Sequence, residues 1–299
     1  MTAHAGSSQF NIGRILMWVL LGIILFLTLF PFWWVLRTAW TTQTVIFQDT
    51  TSLLPVQFTW DNFRRVLGLV STSENLAAGG SGQSINFFLF LRNSIIFAAV
   101  VTAGQVFFST MAAYALARLQ FPGRNLLFTI YISALMVPAI VTLIPNFVLI
   151  RQLELQQTFA GMVAPYFFMT PFAVFFLRQF FLGINRELEE AAKIDGAGYL
   201  TVFFRIILPL SRPPVITLAI ITFIQAWNEY LWPLVVGGSE ENVRVLTVAL
   251  NIFREQQPSG TPDWSGLMAG TFLAIIPVLI LYFIVGRRVI DSIQFTGFK

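Results

Sequence analysis

Glu190 to Pro209 read EAAKIDGAGYLTVFFRIILP. The stretch opens with polar, helix-forming residues followed by a glycine, in a chain that is otherwise rich in long apolar runs. The spacing is Glu-Ala-Ala, three residues, Gly196, nine residues, Ile206, one residue, Leu-Pro. Charged side chains such as Glu190, Lys193 and Asp195 are costly in the bilayer interior. The segment therefore indicates a contact outside the membrane.

The composition outside this segment is that of a membrane protein. Of 299 residues, 56% are apolar and 11% are charged, whereas soluble domains are roughly half apolar and a quarter charged. We therefore predict an all-α integral membrane protein with one transmembrane domain covering residues 1–299.

Six stretches are long and apolar enough to cross a bilayer, whose core of about 30 Å requires roughly 20 residues of helix. The predicted transmembrane helices are 15–36, 93–117, 126–150, 161–182, 213–236 and 266–286. Residues 38–84, with Pro55 and the Gly79–Gly82 run, are expected to form an exposed external loop. Pro138 and Pro145 are expected to kink the third span, either for packing or as hinges.

Basic residues indicate the orientation. With a cytoplasmic N-terminus, the inside segments hold eleven basic and five acidic residues, and the outside segments hold seven and eight. Because cytoplasmic loops carry the excess of Lys and Arg, both termini and the loop 183–212 are predicted to be cytoplasmic.

The loop 183–212 is predicted to contain two short helices joined by a glycine turn. Asn185 is placed to accept hydrogen bonds from the first amides, and Asp195-Gly196 is a natural stop for a helix over 186–194. Such a helix is marginal alone and needs a surface to pack on. The alternative is a helix lying on lipid headgroups, but those usually combine basic residues with bulky apolar ones.

The loop resembles the docking loop of permease subunits in ATP-binding-cassette importers, and in particular the maltose-type second permease of the sugar branch. Further matches lie along most of the chain: Thr59–Phe63, Asn93-Ser94, Ala112–Arg118, Phe121–Arg124 and Trp227-Asn228-Glu229. The C-terminus departs from the family pattern, since residues 286–299 read GRRVIDSIQFTGFK.

The resemblance implies a carbohydrate importer subunit in a bacterial or archaeal plasma membrane. Its implied partners are a second homologous permease, two ATP-binding-cassette ATPases and an extracytoplasmic solute-binding protein, in addition to membrane lipid. The ATPase-docking residues would be Glu190, Ala191, Ala192, Asp195, Gly196 and Ala197.

Glu229 is the only carboxylate inside a predicted span. Intramembrane charges are costly and usually functional, so Glu229 and neighbouring Asn228 are candidates for a solute pathway or gate. The alternative is a polar clasp inside the bundle. The sequence identifies no residue that binds the solute.

The sequence argues against several other functions. It has no Cys, a single His4 and no phosphate-binding loop, so we predict no catalytic residue, metal site, cofactor or ATP hydrolysis in this chain. Its basic residues form no run, which argues against nucleic acid. The alternatives left open are a non-sugar solute with the same mechanism, an autonomous ion-coupled carrier and an intramembrane enzyme.

Overall fold

The protein is helical in the computed structural model, which describes residues 12–77, 85–255 and 261–294. The prediction of an all-α fold is confirmed in these ranges, where the only β-type pairing is a single bridge between Thr41 and Phe58. His4, the Gly79–Gly82 run and the tail after Gln294 lie outside the described residues. The α-helices are α1 (Ile12–Ala39), α2 (Asp61–Val66), α3 (Thr72–Ala77), α4 (Phe87–Arg118), α5 (Arg124–Ser133), α6 (Ala139–Gln152), α7 (Phe159–Val163), α8 (Pro171–Leu182), α9 (Glu187–Ile194), α10 (Tyr199–Val202), α11 (Leu208–Leu210), α12 (Arg212–Trp227), α13 (Leu231–Gly237), α14 (Leu246–Leu250), α15 (Ile252–Glu255) and α16 (Trp264–Gln294).

Three described helices are long and apolar enough to cross a membrane, namely α1, α4 and the first 21 residues of α16. Three further candidates are bent pairs of helices. The bends are 98° between 124–136 and 139–152, 45° between 159–166 and 171–182, and 78° between 199–210 and 212–227. The described helices thus supply up to six spans, and the predicted count of six stays a prediction.

Prolines explain where two predicted spans break. Pro138 immediately precedes α6, and Pro171 is the first residue of α8. Proline has no amide hydrogen to donate, so it is tolerated in the first turn of a helix and ends the helix before it. Pro145, which we expected to kink the third span in the same way, lies inside α6 without ending it.

One compact unit combines residues 1–84 with 253–273. The stretch 38–84 is predicted to be an exposed loop, but its described part, 38–77, is partly buried and contains α2 and α3. Arg65 and Asp263 form an ion pair of 2.7 Å with both side chains almost fully buried. Asn62 accepts a hydrogen bond from Arg65 Nη2 and donates to the carbonyls of Ala39 and Thr41. These polar contacts order a segment whose composition alone resembles a surface loop.

The second unit, residues 85–252 and 274–299, is organised around α4. One side of α4 carries a small-residue row of Ser109, Ala113 and Ala117, all buried. Residues four apart lie on one helix face, and small side chains there allow close helix packing in membranes. The core on this side of α4 includes Leu177 and Phe181 of α8.

Gly104 of α4 closely approaches the chain at Phe167 and provides a direct test of the packing. A Cβ atom on Gly104 would lie 2.4 Å from the carbonyl oxygen of Phe167, whereas one on Gly22 of α1 would meet nothing within 4 Å. We expect Gly104→Ala to lower the free energy of unfolding by about 1 to 3 kcal/mol, the usual cost of overpacking.

The measurement is the thermal unfolding midpoint of the detergent-solubilised protein. Gly22→Ala is the matched control, which should leave the midpoint unchanged or raise it, because Ala favours helix more than Gly. Equal midpoints for the two variants would contradict the packing of α4 described above.

Candidate functional site

The loop predicted to dock contains the short helix α9, which begins one residue later than predicted. Asn185 Oδ1 accepts a hydrogen bond from the amide of Glu187 at 3.1 Å, as expected of a residue at a helix start. The helix ends at Asp195-Gly196, where Gly196 has a φ of +83° and the amide of Ala197 donates to the carbonyl of Ala192. Glycine adopts this left-handed conformation without strain. The second predicted helix is present as α10.

The six predicted docking residues divide into two groups. Glu190, Ala191, Asp195 and Gly196 are exposed, and Ile194 beside them is 86% exposed. Ala192 and Ala197 are half-buried and pack against a core that includes Tyr114 and Phe203. The exposed residues are therefore free to meet another protein, and the two alanines hold the loop on the bundle.

A buried ion pair fixes α9 to the end of α4. Arg118 Nε lies 2.8 Å from Glu189 Oε1, and the two side chains are 2% and 7% exposed. The two atoms are not aligned as a hydrogen bond, so the contact is electrostatic. Arg118 Nη2 also donates to the carbonyl of Ile184, just before α9. One arginine thus holds both the helix and the chain leading into it.

The second unit also contains a cavity of about 340 Å³ beside Glu229. Its walls come from α4, from α12, from Glu229 two residues after the end of α12, and from the helical turn 164–166. The polar residues that line it are Gln105, Tyr166, Thr222, Gln225 and Glu229. Phe97, Val101 and Ala226 supply the apolar part.

Glu229 is hydrogen-bonded within the bundle and also lines the cavity. Glu229 Oε1 accepts a hydrogen bond from the amide of Trp232, the second residue of α13, and its carbonyl accepts one from Thr247. Asn228 does not line the cavity; its side chain donates to the carbonyl of Ile224.

Sequence reasoning missed the residues that organise both sites. Glu189 is one of three glutamates in the loop, and only its three-residue spacing from Ala192 places it on the packed face. Arg118 is the last residue of a long apolar helix. The excess of Lys and Arg at the cytoplasmic ends of membrane helices already explains a basic residue there, so its ion pair is not suggested by the sequence. Gln105 and Gln225 are uncharged and stand 120 residues apart in the chain, so nothing in the sequence brings them together.

Comparison with known proteins identifies the group to which this architecture is similar. The family model for the binding-protein-dependent transport system inner membrane component matches residues 105–294. The sn-glycerol-3-phosphate transport system permease protein UgpE of Yersinia pestis is 33% identical over 270 residues, which cover 90% of this chain and 92% of that protein. The arabinooligosaccharides transport system permease protein AraQ of Bacillus subtilis is 31% identical over 293 residues, 98% of each chain.

A solved structure has a similar fold. It is the crystal structure of a bacterial ABC transporter involved in the import of the acidic polysaccharide alginate. A chain of that structure matches with a TM-score of 0.76 and 23% sequence identity, covering 96% of this chain and 99% of that one. At this identity the match establishes the fold alone.

The ion pair between Arg118 and Glu189 gives a testable difference between neighbouring glutamates. Glu189→Ala leaves the buried Arg118 guanidinium without its carboxylate and with only the hydrogen bond to the Ile184 carbonyl. Breaking a buried ion pair in this way costs about 3 to 5 kcal/mol. We expect a clearly lower thermal unfolding midpoint for the solubilised protein.

Glu190→Ala is the matched control, because Glu190 is adjacent, identical in type and exposed. Substitutions at exposed sites usually change stability by less than about 0.5 kcal/mol. If Glu189→Ala unfolds at the same temperature as Glu190→Ala, the ion pair does not hold the loop.

Proposed function

The chain belongs to the family of binding-protein-dependent transport system inner membrane components, and from this premise we propose that it is the permease subunit of an ATP-driven carbohydrate importer. It forms a translocation pathway with a second permease. Two ATPase subunits drive the importer by receiving the docking loops of the two permeases, which in this chain is the loop containing α9. An extracytoplasmic binding protein delivers the solute. Both termini and α9 face the cytoplasm.

The observation that carries this proposal is the division of α9 into an anchored side and an exposed side. Glu189 and Ala192 hold the helix on the bundle, and Glu190, Ala191 and Ile194 remain exposed. A groove in an ATPase that combines an apolar floor with basic residues would fit this exposed surface. The acidic residues favour such a protein groove over lipid headgroups, which attract basic helices.

The anchoring also supports a route for mechanical coupling. Force applied to α9 reaches Arg118 through the ion pair, and Arg118 is the last residue of the 32-residue helix α4. A displacement of the docking helix would therefore be transmitted to a helix that lines the cavity beside Glu229. Coupling in this sense requires that nucleotide and solute favour different states of the same element.

Polar residues mark the face on which the pathway is proposed. Gln225 is exposed on α12, and Asn228 is exposed just after this helix. The rest of this segment is apolar enough to belong to a membrane span. Uncharged amides and a carboxylate facing lipid would be costly, so this face is expected to meet water, solute or the second permease.

A carbohydrate solute follows from the relatives. Their names refer to sn-glycerol-3-phosphate and arabinooligosaccharides, and the structural neighbour imports a polysaccharide. Polyhydroxylated solutes are common to all three, and we propose the same class for this chain.

Two substitutions in the exposed part of the loop test the coupling. Glu190→Arg reverses the charge offered to the ATPase, and Gly196→Val forces a β-branched residue into a positive φ. We expect both variants to insert and assemble, but to lose at least about 90% of nucleotide-dependent uptake, equivalent to about 1.4 kcal/mol of coupling.

Uptake and ATP hydrolysis are measured together in proteoliposomes that contain the complex purified from native membrane. Glu241→Arg, the same charge reversal at an exposed residue outside the loop, is the control and should transport normally. Normal coupling by both loop variants, or uptake by this chain alone without nucleotide, would contradict the proposal and favour an autonomous carrier.

A further inference from the structure

We infer that the cavity beside Glu229 contacts the transported solute and selects neutral polyhydroxylated solutes over anionic ones. This inference rests on the proposed function. It assigns the solute contact to Gln105, Tyr166, Thr222, Gln225 and Glu229.

The lining has the chemistry that a sugar or polyol requires. The amides of Gln105 and Gln225 can each donate and accept, Thr222 and Tyr166 offer hydroxyls, and Glu229 accepts from solute hydroxyls. Phe97 adds an aromatic surface for the apolar side of a sugar ring. The volume of about 340 Å³ lies at the small end of the roughly 300 to 1,000 Å³ usual for ligand pockets.

The amides and the threonine hydroxyl that face the cavity are unpaired. Within the described part of the chain, the side chains of Gln105, Thr222 and Gln225 form no hydrogen bond with another residue, and Gln105 is 8% exposed. Buried polar side chains are nearly always hydrogen-bonded. The missing partner of the buried Gln105 and Thr222 side chains is expected to be water that a hydroxylated solute can replace.

The charge of the cavity sets the direction of selectivity. The described residues that line the cavity include the carboxylate of Glu229 and no lysine or arginine. Sites that bind phosphate or carboxylate usually provide arginine or lysine. An anionic solute about 6 Å from Glu229 would be disfavoured by roughly a hundredfold at an effective dielectric constant near 20.

The charge of the cavity distinguishes this chain from two of the proteins compared above, whose names refer to anionic solutes. The sn-glycerol-3-phosphate permease and the alginate importer act on anionic solutes, whereas arabinooligosaccharides are neutral. The cavity of this chain fits the neutral class.

The test uses solute protection of a single thiol. Because the chain contains no cysteine, Ala226→Cys places one reactive group in the cavity wall of the assembled complex. Thr222→Cys, which is nearly isosteric, serves the same purpose if Ala226→Cys fails to assemble. Modification by a small water-soluble methanethiosulfonate reagent is followed by the mass of this subunit, and Ser73→Cys, exposed outside the cavity, is the control.

The probes are a set of neutral pentose and hexose oligosaccharides, sn-glycerol-3-phosphate and oligouronates from alginate. We expect at least one neutral oligosaccharide to slow modification of the cavity thiol by about tenfold at ten times its dissociation constant. The two anionic probes should have no effect, and the Ser73→Cys thiol should react at the same rate with every probe.

Glu229→Gln in the same background isolates the charge. Glutamine keeps an oxygen that can accept from the Trp232 amide, so α13 should stay in place. We expect the anionic probes to gain at least about tenfold in protection, because the repulsion is removed.

Protection by an anionic probe equal to that by the neutral set, or unchanged anion exclusion in Glu229→Gln, would overturn the selectivity. Nucleotide-dependent uptake without protection by any solute would overturn the assignment of the cavity and leave the proposed function standing. A complex without nucleotide-dependent uptake would overturn the proposed function itself.

Discussion

The buried ion pair between Arg118 and Glu189 is the contact on which the account of coupling depends. Removing two charges from water is expensive, and their attraction repays this only with good geometry, so such a pair contributes little net stability when intact. Its effect is to penalise separation, because either charge left alone is strongly unfavourable. The pair thereby ties an eight-residue helix, too short to be stable by itself, to the end of the longest helix in the second unit.

The same constraint, that polar groups in a membrane need partners, applies at the cavity. Glu229 is held by the amide of Trp232 and still faces the open space, and Gln105 and Thr222 face it without partners in the described part of the chain. α4 contributes both Gln105 and Arg118, thirteen residues apart. Thirteen residues of helix span about 20 Å, so one rigid element connects the proposed solute contact with the docking helix.

Much of this arrangement follows from local sequence properties. Apolar runs of about 20 residues predict the helices, and Asn185 and Gly196 predict where α9 begins and ends, because capping and positive φ are decided by a few neighbouring residues. The sequence predicts a kink at Pro138 but not the break there, since proline can either kink a membrane helix or end it, and the surrounding packing decides which. Whether Glu189 or Glu190 faces the bundle depends on Arg118, 71 positions away, and the cavity joins residues from separate helices. Long-range contacts of this kind leave no trace in a single sequence.

A distance between spin labels at Gln120→Cys, just after α4, and Glu187→Cys, the first residue of α9 and outside the proposed docking residues, shows whether α9 and the end of α4 move as one body. Both positions are exposed in a chain without native cysteine, and the assembled complex is measured with and without nucleotide. If the ion pair couples the two helices, the distance distribution is narrow and unchanged by nucleotide, because α9 and the end of α4 move together. It becomes broader when Glu189→Gln weakens the pair. A shift of several ångströms upon nucleotide binding would show that α9 moves independently of α4, and would contradict the account.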